Sequence, residues 1–410
     1  MPLSPLVRQL QQVPLTGEVL ERSLRPDRLR LSGAGRGARA LISSALARSA
    51  GAPLLVIVPT LEEAGRWASL LELMGWSSCQ LYPTSEGSPY EPLDPTSEIT
   101  WGQLQVLSEW MDAPGKGDSA EASKGLAVVA TERALQPHLP PPAALAAQCF
   151  SLRKGDVLDL EQLAATLTRL GYERVSTIEQ EGSWSRRGDI VDVFPVSAEL
   201  PVRLEFFGEE LEKLREFDPA SQRSLDPIEV VRLTPSGYGP LIAEALRDGM
   251  PDGLDQLLSP EALEQLLEGG TPEGMRRLMG LAWSEPASLL SYLPANTLIA
   301  VDERRHCLAH GQQWFDHASD HHSEVSAELG VELPAVLHRP PEQALATTEA
   351  FAGTNLTTAG AIGARARHND TGRVTEIRIE RDTILLSGYN DIDFRGKVLR
   401  MNLEGPCAMR

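Results

Sequence analysis

The sequence predicts an α/β protein, with a mainly parallel sheet and a small α+β domain inserted into the chain. Two short apolar runs, at 53–59 and 126–130, alternate with helical patterns. Continuous apolar runs of this length are typical of strands buried in a parallel sheet. Between 151 and 235 the pattern changes to period-2 alternation with turn residues, which is typical of antiparallel strands.

Composition limits the class of protein. At about 100–200 residues per domain, 410 residues predict two to four domains. The 57 acidic and 38 basic residues give a formal net charge of −19. Phosphate binding needs local positive charge, so weak or no direct nucleic-acid binding is expected. No apolar run reaches 18 residues, so no membrane association is expected.

The four cysteines lie far apart and form no CxxC pair, which argues against a zinc knuckle or a disulfide framework. The N-terminus shows no basic start followed by an apolar run, so no signal peptide is predicted. Together these features predict a cytoplasmic protein.

The first 150 residues carry the alternating pattern of the α/β domain. Proline-rich segments at 82–95 and 136–142 interrupt it, because four prolines in each prevent a regular helix or a central strand. The second segment predicts a domain boundary near residue 150. The predicted elements are a helix at 6–13, a Gly-rich turn at 31–40, helices at 40–50 and 61–74, and strands at 53–59 and 126–130.

The remaining residues predict three further units. A helix at 160–170 and strands at 189–194 and 202–207 form the small α+β domain, and an apolar strand at 297–301 follows a helical stretch. Residues 361–410 carry nine basic and seven acidic residues, unlike the acidic remainder of the chain. The expected division is 1–150, 151–235, 236–345, and a tail of unknown role at 346–410.

The Gly-rich turn resembles a phosphate-binding loop without its chemistry. Gly33, Gly35 and Gly37 precede a helix. A working loop has a lysine that reaches the phosphates and a Ser or Thr that binds magnesium. Here Ala38 stands at the lysine position and Arg39 at the Ser/Thr position. A helix-capping turn without nucleotide chemistry is therefore favoured over a nucleotide site.

The strand at 202–207 has two different faces. One is wholly apolar, and the other carries Arg203, Glu205 and Phe207. Arginine next to an aromatic residue is typical of protein–protein hot spots. Arg187, on the preceding strand, joins this face if the strand register allows it. The alternative is an ordinary solvated face, with Phe207 buried under a neighbouring element.

The residues of this region resemble a known family. The run RRGDIVDVFP at 186–195, followed by PVRLEFFGEELEKLREFDPASQRS at 201–224, is similar to the UvrB-like module of the bacterial transcription-repair coupling factors, the Mfd proteins. Residues 81–95 and 283–303 agree, and the resemblance covers about residues 5–345. UvrB itself is a poorer match, because it would have an intact phosphate loop and an aromatic-rich hairpin.

The resemblance implies an architecture and a partner. Residues 1–150 would be domain 1A, a helicase-like fold without ATPase residues, and 236–345 would be domain 1B, which completes it. Domain 2, at 151–235, would dock UvrA through Arg187, Arg203 and Phe207. UvrA and other domains of an intact family protein are thus the expected partners. ATP and magnesium serve the full-length family, and no cofactor is expected in this chain.

Three functional hypotheses follow. The leading one is a UvrA-binding module that recruits nucleotide excision repair and has no ATPase activity. The alternative is an ATP-dependent DNA translocase, here truncated; against it, the sequence shows no GxxxxGK[ST] run, and we expect no acidic helicase box. The third is a frame-disrupted protein without present function, whose tail at 346–410 contributes nothing to stability.

Six of the eight histidines lie between 306 and 338. His306 and His310 are four residues apart, a spacing that places both on one helix face, as in some metal sites. The surrounding residues are polar, so a solvated helix end is favoured, and no metal site and no catalytic residue are expected. The other histidines of this group are His317, His321, His322 and His338.

Overall fold

The computed structural model of the protein contains a large, mainly parallel sheet and a smaller, mainly antiparallel sheet. Helices accompany both sheets, so the predicted fold class, a parallel-sheet α/β unit with a small inserted α+β domain, is confirmed. The structure describes residues 3–23, 29–92, 95–112, 125–249, 254–272, 274–330, 333, 336–358, 379–380 and 383–385.

The strands and helices are numbered along the chain. The strands are β1 Leu29–Ser32, β2 Leu54–Val58, β3 Ser78–Leu81, β4 Leu126–Thr131, β5 Phe150–Arg153, β6 Glu173–Arg174, β7 Ser183–Arg187, β8 Ile190–Phe194, β9 Val202–Phe207, β10 Glu210–Phe217, β11 Ser224–Pro227, β12 Val230–Leu233, β13 Leu298–Asp302, β14 Gly353–Thr357, β15 Ile379–Glu380 and β16 Thr383–Leu385. The helices are α1 Ser4–Gln11, α2 Pro14–Ser23, α3 Arg36–Ala50, α4 Leu61–Leu73, α5 Ser97–Asp112, α6 Pro142–Gln148, α7 Leu160–Arg169, α8 Gly239–Asp248, α9 Leu254–Leu257, α10 Pro260–Leu267, α11 Met279–Ala282, α12 Arg304–Leu329 and α13 Pro341–Ala346.

Strands from distant parts of the chain form the parallel sheet. Its order is β15-β16-β1-β14-β13-β2-β4-β3, and every neighbouring pair is parallel except β15 and β16. Strand β13 lies beside β2, with Leu298 opposite Leu54. The predicted units 1–150 and 236–345 therefore share one sheet.

Both faces of this sheet are buried, which explains the continuous apolar runs. Leu55 and Ile57 enter the hydrophobic cluster on one face. Leu54, Val56 and Val58 enter the cluster on the other face. A strand covered on both faces needs apolar residues at every position rather than at alternate ones.

The inserted domain leaves and rejoins the large unit through two paired strands. Strand β5, at its entry, is antiparallel to β12, at its exit, with Phe150 opposite Leu233. Its sheet has the order β11-β10-β9-β8-β7-β6. Helix α7 covers one face, where Leu163 and Leu167 pack against Trp184. Helix α7 does not cover the other face.

Local sequence signals set several of the boundaries. Strand β9 has the predicted bounds 202–207, and α7 ends one residue before the predicted limit of 170. Residues 254–267 are divided between α9 and α10. The division lies at Ser259, whose hydroxyl accepts a hydrogen bond from the Ala262 amide, and Pro260 occupies the first turn of α10.

The beginning of the predicted tail at 346–410 is part of the sheet, which corrects the boundary at 345. Strand β14 lies between β1 and β13, and its Thr354 and Leu356 are buried. The strand carries a single large apolar residue in the run GTNLT, so its sequence contains no strand signal. Most of the later tail, including Cys407, lies outside the described residues.

Two structural observations concern the expectations drawn from composition, on membrane association and on disulfide bonds. No helix in the described residues is both long and apolar enough to cross a membrane. In the same part of the chain, Cys79, Cys149 and Cys307 are free thiols.

We predict that β14 is needed for folding. A chain that ends at residue 345 lacks this strand, whereas a chain that ends at 358 keeps it, and both lack the later tail. The shorter chain loses two strand interfaces and the burial of Leu356; truncation of such a side chain to alanine alone costs about 2–5 kcal/mol. Thermal unfolding followed by circular dichroism should show a much lower Tm for the shorter chain. Equal Tm values would contradict this prediction.

Candidate docking surface and the degenerate phosphate loop

The side of the inserted sheet opposite α7 is called the outer face here; Ile178 packs over Phe194 and Phe217 at one end of it, and the other end is open to solvent. Strand register places Arg187 opposite Ile190, and Ile190 opposite Glu205. Residues opposite each other, and those two positions along a strand, share a face. The register thus confirms that Arg187 lies on the same face as Arg203 and Phe207. The outer face comprises Arg187, Ile190, Asp192, Arg203, Glu205 and Phe207.

Two tight turns lie at one end of the outer face. Gly188 and Gly208 each have a positive φ, 64° and 66°, which a residue without a Cβ adopts at little cost. Each begins a two-residue loop between paired strands. The Phe206 amide donates a hydrogen bond to the Asp189 carbonyl at 2.9 Å, so the two turns are neighbours. Arg187 and Phe207 are the last strand residues before these turns.

Phe207 is the most exposed large apolar side chain in the described residues, with 80 % of its surface accessible. This excludes the alternative that a neighbouring element buries it. Ile190 is 38 % exposed on the adjacent strand. Val157, 70 % exposed, bridges to Glu210, which in turn pairs with Phe207. The turn end of the outer face therefore presents a small group of apolar side chains to solvent.

Arg203 is held in place rather than free. Its Nε donates to Asp192 Oδ1 at 2.7 Å, and its Nη2 donates to Oδ2 at 2.9 Å. Its guanidinium also lies 4.8 Å from the centre of the Phe217 ring. Hydrogen bonding to Asp192 is the main reason why the pKa of Arg203 is raised above its ordinary value. Arg203 thus enters the outer face in a fixed orientation.

Arg187 is exposed and has fewer restraints. Its Nη2 donates one hydrogen bond to the Ser176 carbonyl at 3.0 Å. The preceding residue, Arg186, points to the opposite side of the sheet and pairs with Glu161 of α7 at 2.7 Å. The strand alternation therefore divides this arginine pair between a structural contact and the outer face.

The Gly-rich turn has the backbone form of a phosphate loop. Strand β1 leads through Gly33, with φ 80°, into α3, which begins at Arg36 after Gly35. The Gly33 amide donates to the Thr357 carbonyl at 3.0 Å, which ties the turn to β14. Gly37 and Ala38 lie in the first turn of α3. The strand–turn–helix form is retained.

Arg39 points into the sheet and pairs with two carboxylates at the end of β13. Its Nη1 contacts Asp302 Oδ1 and lies 2.9 Å from Glu303 Oε1. Arg39 and Asp302 are 2 % and 1 % exposed. The Trp67 indole donates a further hydrogen bond to Asp302 at 2.7 Å. Burial raises the pKa of Asp302 to about 6, although the Arg39 charge acts in the opposite direction.

The acidic pair Asp302–Glu303 corrects the expectation that the chain has no acidic box. Asp302 ends the apolar strand β13 and Glu303 follows it, an order that the sequence itself contains. In nucleotide-hydrolysing proteins with a phosphate loop, such an aspartate and the loop Ser or Thr hold magnesium. Here the guanidinium of Arg39 pairs with the acids and provides the positive charge.

Comparison with known proteins finds one matching family and several relatives. Residues 150–238 match the family described as the UvrB interaction domain. The chain is 31 % identical to a transcription-repair-coupling factor of Mycobacterium bovis over 73 % of its own length and 25 % of that protein. It is 28 % identical to the transcription-repair-coupling factor of Bacillus subtilis, over 67 % of the chain and 24 % of that protein. It is 29 % identical to the transcription-repair-coupling factor of Escherichia coli, over 65 % of the chain and 23 % of that protein.

These matches confirm the resemblance read from the sequence. The chain is similar to transcription-repair-coupling factors and contains a UvrB interaction domain. It spans about a quarter of the length of these relatives.

We predict that the two arginines of the outer face differ in their effect on stability. Arg203→Ala leaves the buried Asp192 carboxylate without its partner and should lower the free energy of unfolding by about 2 kcal/mol. The matched variant Arg187→Ala removes one exposed contact and should change it by less than about 0.5 kcal/mol. Chemical denaturation of both variants measures the difference. Equal stabilities would show that the Asp192 pair does not hold the sheet.

Proposed function

We propose that this chain is the UvrA-docking module of a transcription-repair coupling factor, and that it recruits nucleotide excision repair to damaged DNA. The observation that carries the proposal is the coincidence of two features in one domain. Residues 150–238 match the UvrB interaction domain, and the same residues expose Phe207, 80 % accessible, on the sheet face that also carries Arg187 and Arg203. A large exposed aromatic group rimmed by charge is typical of a binding site.

The residues of the outer face have different parts in the proposed contact. Phe207 is the anchor that a partner would cover, with Ile190 beside it. Arg187 supplies charge-assisted hydrogen bonds to acceptor groups of UvrA, since its guanidinium is exposed. Arg203 is the more enclosed of the two arginines, since its Nη1 also approaches the Gln222 carbonyl at 3.4 Å and Ser224 Oγ at 3.5 Å; it would contribute a positive charge that Asp192 holds in place. The fixed hairpins reduce the entropy that binding would cost.

We also propose that the parallel-sheet unit of this chain has no ATPase activity. Arg39 stands where a hydroxyl would bind magnesium, and its charge is paired with the two acids that would otherwise face the metal. Ala38 offers no charge to a phosphate. This arrangement disfavours the alternative of an ATP-driven DNA translocase within this chain, whatever the longer relatives do.

Phe207→Ala should weaken UvrA binding while leaving the fold unchanged. Loss of a hot-spot anchor costs about 2 kcal/mol, or roughly thirty-fold in Kd. Arg187→Ala should weaken binding by about 1 kcal/mol. Isothermal titration of purified UvrA with each variant provides the measurement. The affinity of Arg203→Ala for UvrA is interpreted together with its free energy of unfolding, because this variant is expected to be less stable.

Two control variants lie away from the outer face. Leu73→Ala removes an exposed apolar side chain from α4, and Arg169→Ala removes an exposed arginine from α7, on the other side of the inserted sheet. Both should bind UvrA like the unmodified chain. The docking surface is misplaced if Phe207→Ala binds equally well, or if the controls lose as much affinity.

Mg-ATP should leave the Tm of the chain unchanged. A ligand that binds the native state at 100 times its Kd stabilises it by about 2.7 kcal/mol, so a working site would raise the Tm visibly. Differential scanning fluorimetry with and without millimolar Mg-ATP is sufficient. A Tm that rises with ATP concentration, or ATP hydrolysis that Asp302→Asn abolishes, would reinstate the enzyme hypothesis.

A further inference from the structure

Helix α12 and the proline-rich segment after β3 bring three metal-ligating side chains together. His317 and His321 are four residues apart and lie on one face of the helix, with ring centres 4.2 Å apart. Glu91 faces them from the proline-rich segment. Its Oε1 lies 3.4 Å from His317 Nε2 and 4.0 Å from His321 Nδ1. The three ligand atoms lie within 4.8 Å of one another.

We propose that Glu91, His317 and His321 bind one divalent transition-metal ion of the zinc class. Two imidazoles and a carboxylate are a donor set that zinc, cobalt and nickel accept. Zinc–ligand bonds of about 2.0–2.1 Å in tetrahedral geometry place the donor atoms about 3.3 Å apart. Small side-chain rotations bring the observed separations to this value, and a water molecule would complete the tetrahedron.

An unpartnered atom points to the same place. His321 Nδ1 is shielded from solvent and makes no hydrogen bond. A shielded polar atom without a partner costs free energy, and a metal ion would satisfy this one. His306 and His310 have the same spacing on α12 and are exposed. Among the described residues, however, they do not form a group of three potential metal ligands with another side chain.

The carboxylate is held toward the helix. Glu91 Oε1 accepts a hydrogen bond from the Ser88 amide at 3.0 Å. Gly87 lies so close that a Cβ there would be 2.5 Å from Glu91 Oε2. Groups that orient a metal-binding side chain in this way support metal affinity. The backbone of the segment thus wraps the side chain that it presents.

The segment is also fixed to its surroundings by two residues that precede Glu91, Gly87 and Tyr90. The Trp314 indole of α12 donates to the Gly87 carbonyl at 3.4 Å. The Tyr90 hydroxyl contacts His338 Nδ1 at 2.8 Å and accepts from the Leu337 amide at 2.7 Å. The metal ion would therefore add a further contact between α12 and residues 82–92, which form no helix or strand.

Metal titration of the full chain tests the site. The protein is prepared without a polyhistidine tag, stripped with a chelator, and titrated with Co²⁺. We expect one equivalent of tight binding, the visible absorption of four-coordinate Co²⁺, and its displacement by Zn²⁺. The Tm should rise with Zn²⁺, because the ion binds the folded state.

Three variants decide the assignment. Loss of an outer partner lowers metal affinity about 10–100-fold, so loss of a ligand in Glu91→Gln, or of two in the double variant His317→Ala/His321→Ala, should cost at least as much. The control His306→Ala/His310→Ala should bind like the unmodified chain. The proposal is overturned if the chain takes up no metal, if Glu91→Gln binds normally, or if the control loses the binding. If the three side chains form only a histidine–carboxylate ion pair, the chain will take up no metal.

Discussion

The buried ion pair between Arg39 and Asp302 joins two parts of the chain that are 263 residues apart. One partner lies on the helix after β1, and the other ends β13, so the pair connects the two portions that form the parallel sheet. Trp67 of α4 shares the Asp302 carboxylate, and Thr357 at the end of β14 bonds Glu303 at 2.9 Å. Removing one member of such a pair leaves an uncompensated buried charge, which is strongly destabilising. The association of the chain portions before and after the inserted domain in one sheet therefore depends on this contact.

The sheet shared by the two chain portions also determines how the inserted domain is connected to the large unit. Its entry and exit strands, β5 and β12, are paired, so the domain leaves the large unit on a double connection. Its apolar face is covered by α7, and the turn end of the outer face, with Phe207 and Ile190, is left to solvent. The nucleotide-fold unit in turn has an arginine where magnesium would bind. The sheet thus has the strand–turn–helix form of a nucleotide-binding fold, but Arg39 after that turn pairs with Asp302 and Glu303. This is consistent with a binding module.

Much of this organisation could be predicted from the sequence, because its signals are local. The apolar run of β2 and the alternation of β9 indicate a strand covered on both faces and one covered on a single face. The face shared by Arg203 and Phe207 follows from period 2 alone. Strand β14 could not be predicted, since its burial depends on partners far away in the chain. The same reason hides the pairing of Arg203 with Asp192 and the approach of Glu91 to α12.

If UvrA covers the turn end of the outer face, backbone hydrogen exchange at that end should change when UvrA binds. The amides of the two turns, at 188–189 and 208–209, are measured in the free chain and in the presence of UvrA. We expect exchange at both turns to become slower on binding, while the amides of α7, on the opposite side of the sheet, are unaffected. Unchanged exchange at both turns in a chain that is demonstrably bound to UvrA would contradict the account and move the docking surface elsewhere.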